Sequence, residues 1–308
     1  MPVLDAGDFL AEAIESVLAQ SYDDWELLIA DDGSTDGSLE TARRDAARHP
    51  GRIRALPPVD GGRTGASRTR NRAIAEATGE YLALLDADDI WLPTKLDAQV
   101  GRLAHRPDVA LVCNPTVWWY GWTGRPEDAA RDTVVPIGPA GERVIEGPEA
   151  LDLILRHRLA MPCTCGILTR TGLARDVGGM VESFRRLYTD QSFFAKLLLR
   201  GGLLVMDDPH DLYRQHPDSA CQSTSPREHA EARAAFLDWL ESHIRESGFD
   251  HPAIDRAIRD ERRWQGRGPG LRRLRRFYLK RVQAPAWGWE NGADEAVQPP
   301  RGGSRPPS

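Results

Sequence analysis

One stretch constrains the fold of this chain more than any other: Tyr81-Leu-Ala-Leu-Leu-Asp86-Ala-Asp88-Asp89, an apolar run that ends abruptly in carboxylates. Fenced by Gly79-Glu80 before it and Pro93 after it, the run predicts a short strand buried on both faces of a parallel sheet. Asp86 and Asp88 then fall at the carboxyl end of that strand, the edge where open α/β sheets bind ligands. Two carboxylates one residue apart repel each other, and at close range one takes up a proton unless a cation lies between them. A hard divalent metal, Mg²⁺ or Mn²⁺, is the simplest explanation, and such ions bring phosphates with them. A plainer explanation is that Asp88 or Asp89 caps the helix beginning near Pro93. For an isolated Asp-x-Asp the plainer explanation is favoured, so the surrounding chain has to decide.

That chain is 308 residues long and 41% hydrophobic, enough for one large domain or two interleaved halves around a sizeable core. Its net charge of −6 argues against wholesale nucleic-acid binding. Cys113, Cys163, Cys165 and Cys221 include one Cys-x-Cys and no Cys-x-x-Cys, and no secretory leader opens the chain, so the thiols are expected to be reduced and the protein cytoplasmic. No run reaches the ~18 apolar residues of a spanning helix, which leaves peripheral membrane contact.

In chain order, Phe9, Leu10, Ala13, Ile14, Val17 and Leu18 recur at helical steps and predict one core-facing stripe. Trp25 to Ala30 follows as a strand, ending at Asp31-Asp32-Gly33-Ser34-Thr35-Asp36. Ser34 and Asp36 are expected to cap the next helix, whereas Asp31 and Asp32 come too early for that role. Arg52 to Leu56 reads as a third strand, Gly61 to Gly65 as a loop, and Ala66 to Ala77 as a helix carrying Arg68, Arg70 and Arg72 near its start. A basic cluster beside a glycine loop and a helix N-terminus suits a diphosphate, although surface arginines are mostly solvated. The loop matches neither a dinucleotide fingerprint nor a Walker loop.

Taken together, Pro2-Val3, Ser16 to Tyr22, Trp25 to Asp36, Arg70-Asn71-Arg72 and Gly79 to Asp89 form an ordered series over about ninety residues that resembles the family 2 glycosyltransferases of the GT-A fold. Such a series is far more specific than any single motif, and it reverses the weighting at Asp86 and Asp88. The resemblance implies a nucleotide-diphosphate-sugar donor and a divalent metal (Mn²⁺ or Mg²⁺) at the Asp-x-Asp. It places Pro2, Asp32, Arg70 and Asp86 among the nucleotide-sugar contacts, with Asp32 at the base and Asp86 near the ribose and metal, and makes Asp88 a direct metal ligand. Family members open with about five apolar residues before the Pro-Val. The first strand is therefore expected to be truncated, through a start assigned too late or through damage to the copy.

Further on, Val109 to Cys113 is another buried strand, and Thr116 to Trp122 is an aromatic, extended segment that serves as a sugar-stacking platform or as core cover at a sheet edge. Residues 123 to 146 read as a variable loop or short hairpin, and Pro148 to Leu159 as a helix. Met161 to Arg170 resembles the family strand bordering the acceptor. Cys163 and Cys165 lack a second Cys or His pair at metal spacing, which argues against a zinc site. Gly178-Gly179 matches the turn ahead of the catalytic helix, which opens at Tyr188-Thr189-Asp190. Alone, Asp190 would be a cap. The resemblance makes it the general base, with Thr189 standing where the family carries glutamate. Leu212 to Ser219 is similar to the Tyr-Arg-x-His-x-x-Ser segment, whose histidine, here His216, reaches the metal or diphosphate.

Helices at Pro226 to Ser247 and Ala253 to Trp264 are expected to pack on the acceptor half. At Leu271 to Val282, apolar residues alternate with Arg272, Arg273, Arg275, Arg276, Lys280 and Arg281, the pattern of an interfacial amphipathic helix or of a solvated helix docked on the protein. Beyond Ala284 a disordered tail is expected.

The expected fold is thus α/β of the GT-A type, a mostly parallel mixed sheet flanked by helices with a C-terminal helical appendage. Residues 1–115 form the nucleotide-sugar half, 116–222 the acceptor half with the base, 223–283 the helices and 284–308 the tail. The expected activity is inverting transfer of a sugar to a glycan, polysaccharide or lipid-linked acceptor, with 271–282 touching an anionic membrane and no nucleic-acid partner. A sugar nucleotidyltransferase would show a Gly-rich N-terminal loop with Lys or Arg, and none is visible. A catalytically impaired nucleotide-sugar-binding protein would bind without turnover.

Overall fold

In a computed structural model of the chain, the described residues are 1–59, 62–217, 219 and 223–265. The expected amphipathic helix at 271–282 and the tail from 284 lie outside them. The strands β1 (Pro2–Val3), β2 (Leu27–Asp31) and β3 (Ile53–Leu56) form a parallel sheet in that order. Every residue of β2 is buried, as its continuous apolar run requires when helices cover both faces. The helices α1 (Phe9–Leu18) and α2 (Ser38–Arg48) supply the crossovers, and α3 (Ala66–Glu76) leads on from β3 to the next sheet.

A second, mixed sheet runs β4-β10-β6-β11-β9, built from Tyr81–Ala83 (β4), Val109–Cys113 (β6), Arg143–Ile145 (β9), Ile167–Arg170 (β10) and Gly202–Val205 (β11). Here the expectation for the key strand needs correcting. Only Tyr81–Ala83 joins a ladder, and its partner β10 is antiparallel, with Leu82 opposite Thr169. Leu84 and Leu85 are still 5% and 2% exposed because they pack into two different clusters, Leu84 beneath α3 and Leu85 against α1. An apolar run reports burial; it carries no information on the direction of the neighbouring strand.

The third sheet, β5-β12-β7-β8, joins Ile90–Trp91 (β5), Thr116–Trp119 (β7), Thr133–Val135 (β8) and Asp211–Arg214 (β12). Residues 123 to 146 therefore do not close a hairpin: β8 pairs with β7, whereas β9 pairs with β11 in the other sheet. The remaining helices are α4 (Lys95–Leu103), α5 (Pro126–Ala129), α6 (Gly147–Leu155), α7 (Thr171–Asp176), α8 (Thr189–Leu198), α9 (Pro226–Glu246) and α10 (Pro252–Gln265).

The largest core surrounds α8. Phe193, Phe194 and Leu197 share one buried cluster with Leu111 and Leu203 of the mixed sheet and with Phe236, Leu240, Ile254 and Ile258 of α9 and α10. Ser225 and Glu228 close a capping box at the start of α9, satisfying amides that would otherwise be unpaired. At Gly147, a β-carbon would meet the carbonyl oxygens of Leu198 and Gly201 at 1.9 and 2.2 Å, so α6 sits against the end of α8 only because that residue has no side chain. This packing fixes the N-terminus of α8, and with it Asp190, relative to the sheet edge.

Candidate active site

Between β4 and β5 the chain turns through Asp86-Ala87-Asp88-Asp89, with the Asp89 amide donating to the Asp86 carbonyl at 3.2 Å. The three carboxylates have separate partners. Asp86 Oδ1 accepts from Arg70 Nη2, a pair in which the arginine side chain is 8% exposed. Asp88 Oδ2 lies 3.1 Å from His216 Nε2 and keeps 31% of its side chain exposed. Asp89 is fully buried, and its Oδ1 accepts the Arg214 amide at 3.0 Å. Burial, reinforced by the charges of Asp88 and Asp86, pushes the Asp89 carboxyl well above the usual range. Asp89 neither caps a helix nor faces the open edge; it locks the turn onto β12.

Arg70 links the acidic turn to the start of α8. Besides Asp86, it reaches Thr189 Oγ1 at 3.5 Å on the first residue of α8. Its charge also acts on Asp190, which is half-buried in the next position. Burial raises the Asp190 carboxyl above its ordinary value, the Gln191 amide at 2.8 Å and the Arg70 charge pull it down, and Asp86 pushes it up. Asp190 is not the N-cap residue of α8, since Tyr188 occupies that position in a left-handed conformation at φ 62°; its carboxylate accepts the Gln191 amide within the first turn.

The expected base contact, Asp32, is 5% exposed and already engaged. Its Oδ1 accepts from the Thr64 amide (2.7 Å), the Thr64 hydroxyl (2.9 Å) and the Thr69 hydroxyl (2.9 Å), while its Oδ2 takes the Gly65 amide at 2.9 Å. A carboxylate has about four lone-pair sites, so Oδ2 retains room for one further N–H donor. Asp31 turns its Oδ2 onto the Gly33 and Ser34 amides. A cavity of about 340 Å³ opens beside these residues, lined by Asp31, Thr64, Arg68 and Thr69. Pro2 pairs with Ala30 at the same sheet edge. Of the expected caps, Asp36 does accept the Ser38 amide at 3.0 Å. Ser34 instead accepts from the Asp5 amide, because the chain after β1 passes directly over it.

Three features escape sequence reasoning. Arg214 is 1% exposed and sits over the rings of Phe9, Trp119 and Trp122, at 4.3, 4.6 and 5.4 Å from their centroids. It donates through Nε to the Asp88 carbonyl at 2.7 Å and through Nη2 to Glu12 at 2.5 Å. This arginine holds the backbone of the acidic turn, and two of the clustered tryptophans exist to box it in by cation–π contact. Trp118, at 40% exposure, is the one of that cluster that faces outward. Second, Asn71 spans the Gly178-Gly179 turn, donating to the Met180 carbonyl and accepting from its amide at 2.9 and 2.6 Å. A β-carbon on Gly179 (φ 56°) would meet Asn71 Oδ1 at 2.3 Å. Third, the Thr64 and Thr69 hydroxyls serve Asp32, as above. Only the alternation of hydroxyl and arginine in Thr64 to Arg72 hints at this; nothing in sequence spacing links Arg214 with its aromatic box.

The donor set at the turn is Asp88 oxygen, the Asp86 oxygen not engaged by Arg70, and the His216 imidazole. Asp88 Oδ2 and His216 Nε2 lie 3.1 Å apart while Asp86 is held on Arg70; hard divalent cations accept carboxylate oxygens and Mn²⁺ also takes imidazole, so Asp88 and His216 are of the ligand types the implied metal needs.

The sequence pattern described as Glycosyl transferase family 2 matches residues 1–171, more than half of the chain. The chain belongs to glycosyl transferase family 2. An uncharacterized glycosyltransferase of Nostoc sp. is 44% identical over 224 residues, covering 71% of this chain and 66% of that protein. Across the first curated relatives of this family 2 chain, the match spans between 34% and 66% of their length. Among solved structures, residues 1–349 of TarS from S. aureus in complex with UDP-GlcNAc superpose with a TM-score of 0.62 at 16% identity, over 83% of this chain and 68% of that one. The mannosyltransferase PcManGT from Pyrobaculum calidifontis, in complex with GDP-Man and Mn²⁺, gives a TM-score of 0.51 at 18% identity, over 93% and 70%. The family 2 chain therefore has the GT-A fold. Among its described residues, no helix is long and apolar enough to cross a membrane.

Proposed function

We propose that this family 2 chain is a metal-dependent, inverting glycosyltransferase that moves a sugar from a nucleotide-diphosphate donor to a hydroxyl of a glycan, polysaccharide or lipid-linked precursor in cell-envelope synthesis. The observation that carries the proposal is Arg70, a buried cation that binds the Asp86 carboxylate of the donor turn and the opening of α8 together, bringing Asp190 beside the same centre. Family membership supports the reaction class, and the complexes of TarS and PcManGT support the donor and the ion. On this proposal residues 1–115 hold the donor, with Pro2 and Asp32 toward the base and Arg70 and Asp86 toward ribose and diphosphate. Residues 116–222 form the acceptor side.

Asp88, His216 and the free Asp86 oxygen would hold Mn²⁺ or Mg²⁺, whose chemistry there is to stabilise charge on the departing diphosphate. Asp190 takes the proton from the acceptor hydroxyl as that oxygen attacks the anomeric carbon from the face opposite the leaving group. Arg70 keeps Asp190 ionised and orients Asp86. The proposed site of action is the cytoplasm, where the few thiols of the chain would stay reduced.

A panel of nucleotide sugars with Mn²⁺, scored by thermal shift and by donor hydrolysis, tests the proposal. One donor is expected to stabilise the protein selectively and to be hydrolysed slowly; indifference to every nucleotide sugar would refute a donor site.

The pH profile should report Asp190. The base must be ionised, and burial holds its carboxyl above the ordinary 3.8, so kcat/KM is expected to fall as pH drops through that raised value. In Arg70→Gln the cation is gone while burial and the Asp86 charge remain, so the acid limb should move to higher pH. A limb that stays in place would separate Arg70 from the base.

A further inference from the structure

Adjoining the acidic turn lies a second group of ligand-bearing side chains. The sulfurs of Cys163 and Cys165 are 3.3 Å apart. A carboxylate oxygen of Asp89 joins them, and the three ligand atoms all lie within 4.8 Å of one another. Cys165 and Asp89 are fully buried, whereas Cys163 is partly exposed and offers a way in. Asp89 Oδ2 is buried and accepts no hydrogen bond, although its other oxygen is satisfied by the Arg214 amide. Asp211, fully buried, accepts from the Cys165 thiol at 3.3 Å and from Asn114 at 2.6 Å.

The nearby cation, Lys95, does not neutralise this group directly. Its ammonium is committed to Gln99 Oε1 at 2.6 Å and the Ile167 carbonyl at 3.3 Å. A buried carboxyl group beside two thiols, with one of its oxygens lacking a hydrogen-bond partner, offers three ligand atoms that one cation would satisfy together by displacing their protons. Cys-x-Cys spacing by itself is a poor zinc signal; the third ligand comes from a segment more than seventy residues earlier, brought close because β5 and β12 pair beside the turn that precedes β10.

We infer that Cys163, Cys165 and Asp89 form a second metal site, distinct from that of Asp86, Asp88 and His216, which takes a thiophilic divalent ion of the zinc class. Two thiolates and a carboxylate select such an ion over Mg²⁺ or Mn²⁺. On binding, both thiols lose their protons to solvent as two metal–sulfur bonds form, with Asp211 placed to receive the Cys165 proton in passing. The ion would clamp the acidic turn to the segment before β10. The inference does not depend on the sugar-transfer proposal, since it rests on a different set of ligands.

The test uses the whole chain, reduced, stripped of metal and free of nucleotide, titrated with Co²⁺ and then Zn²⁺. A sulfur-to-cobalt charge-transfer band is expected to saturate at one equivalent and to be displaced by Zn²⁺. The band should persist in Asp88→Asn and disappear in Cys163→Ser. Zn²⁺ affinity in Cys163→Ser should drop about 100-fold or more, because losing even an outer partner of a ligand costs 10- to 100-fold. Should that variant misfold, alkylation of the wild-type protein decides instead: Zn²⁺, and not Mn²⁺, is expected to protect the partly exposed Cys163 thiol, as located by mass spectrometry. Absence of the charge-transfer band, its survival in Cys163→Ser, or alkylation rates unchanged by Zn²⁺ would each overturn the site.

Discussion

Asp190→Asn is expected to cut sugar transfer by about 10²-fold or more, the usual scale for loss of a general base, while donor affinity in Mn²⁺ stays close to wild type. The substitution keeps the shape of the side chain and its place in the first turn of α8, whose packing comes from Phe193, Phe194 and Leu197 rather than from the carboxylate. No hydrogen bond from Arg70 ends on Asp190; that arginine is held by Asp86 and Thr189, so the donor turn should not notice the change. Donor affinity and turnover measured in one preparation separate the two effects. Transfer at near the wild-type rate would remove Asp190 from the role. Glu182, which lies 3.3 Å from Asn71 Nδ2 beside the Gly178-Gly179 turn, would then be the next carboxylate to test.

The second large effect is expected at the opposite end of the site. In Asp88→Asn, donor affinity in Mn²⁺ should fall to the affinity that wild type shows in EDTA, a loss on the order of 10²-fold if the ion bridges protein and diphosphate. The fold should survive, because Arg214 holds this residue through its backbone carbonyl and the side chain is partly exposed. His216 loses its charged partner in the same variant. An unchanged metal dependence, read by calorimetry with and without Mn²⁺, would move the cation elsewhere.

The N-terminal elements and the acidic turn are legible in sequence because their signals are local. Paired aspartates at the ends of apolar runs, a glycine-rich loop, and arginines in the first turns of a helix all lie within a few residues of the chemistry they support. The direction of β4 is not legible, since Leu82 to Leu85 would be buried equally well beside a parallel or an antiparallel neighbour. The same limit hides Arg214. Its box draws Phe9 from α1, Trp119 from β7 and Trp122 from the turn after it, and the pairing of β12 with β7 that assembles them is a long-range event. Asp89 shows the opposite error. It looks like part of one acidic motif, yet burial separates it chemically from Asp86 and Asp88, and one of its carboxylate oxygens lies within 4.8 Å of the sulfurs of Cys163 and Cys165.

Arg70 illustrates how much a single buried side chain can organise. Its contacts tie α3, the acidic turn and α8 into one unit, and a buried arginine stripped of its carboxylate is costly, so its partners are held as firmly as it holds them. On the proposed reaction the division of labour is specific: Asp88 and His216 for the ion, Asp86 and Arg70 for the donor, Asp190 for the proton.

That division presupposes a single displacement at the anomeric carbon, and the most direct measurement is the anomeric configuration of the sugar newly linked to its acceptor, read by nuclear magnetic resonance once the donor panel has named the donor. The account predicts inversion, so that an α-linked donor yields a β-linked product. Retention would contradict it, because a base on the far face from the leaving diphosphate could not produce that outcome in one step.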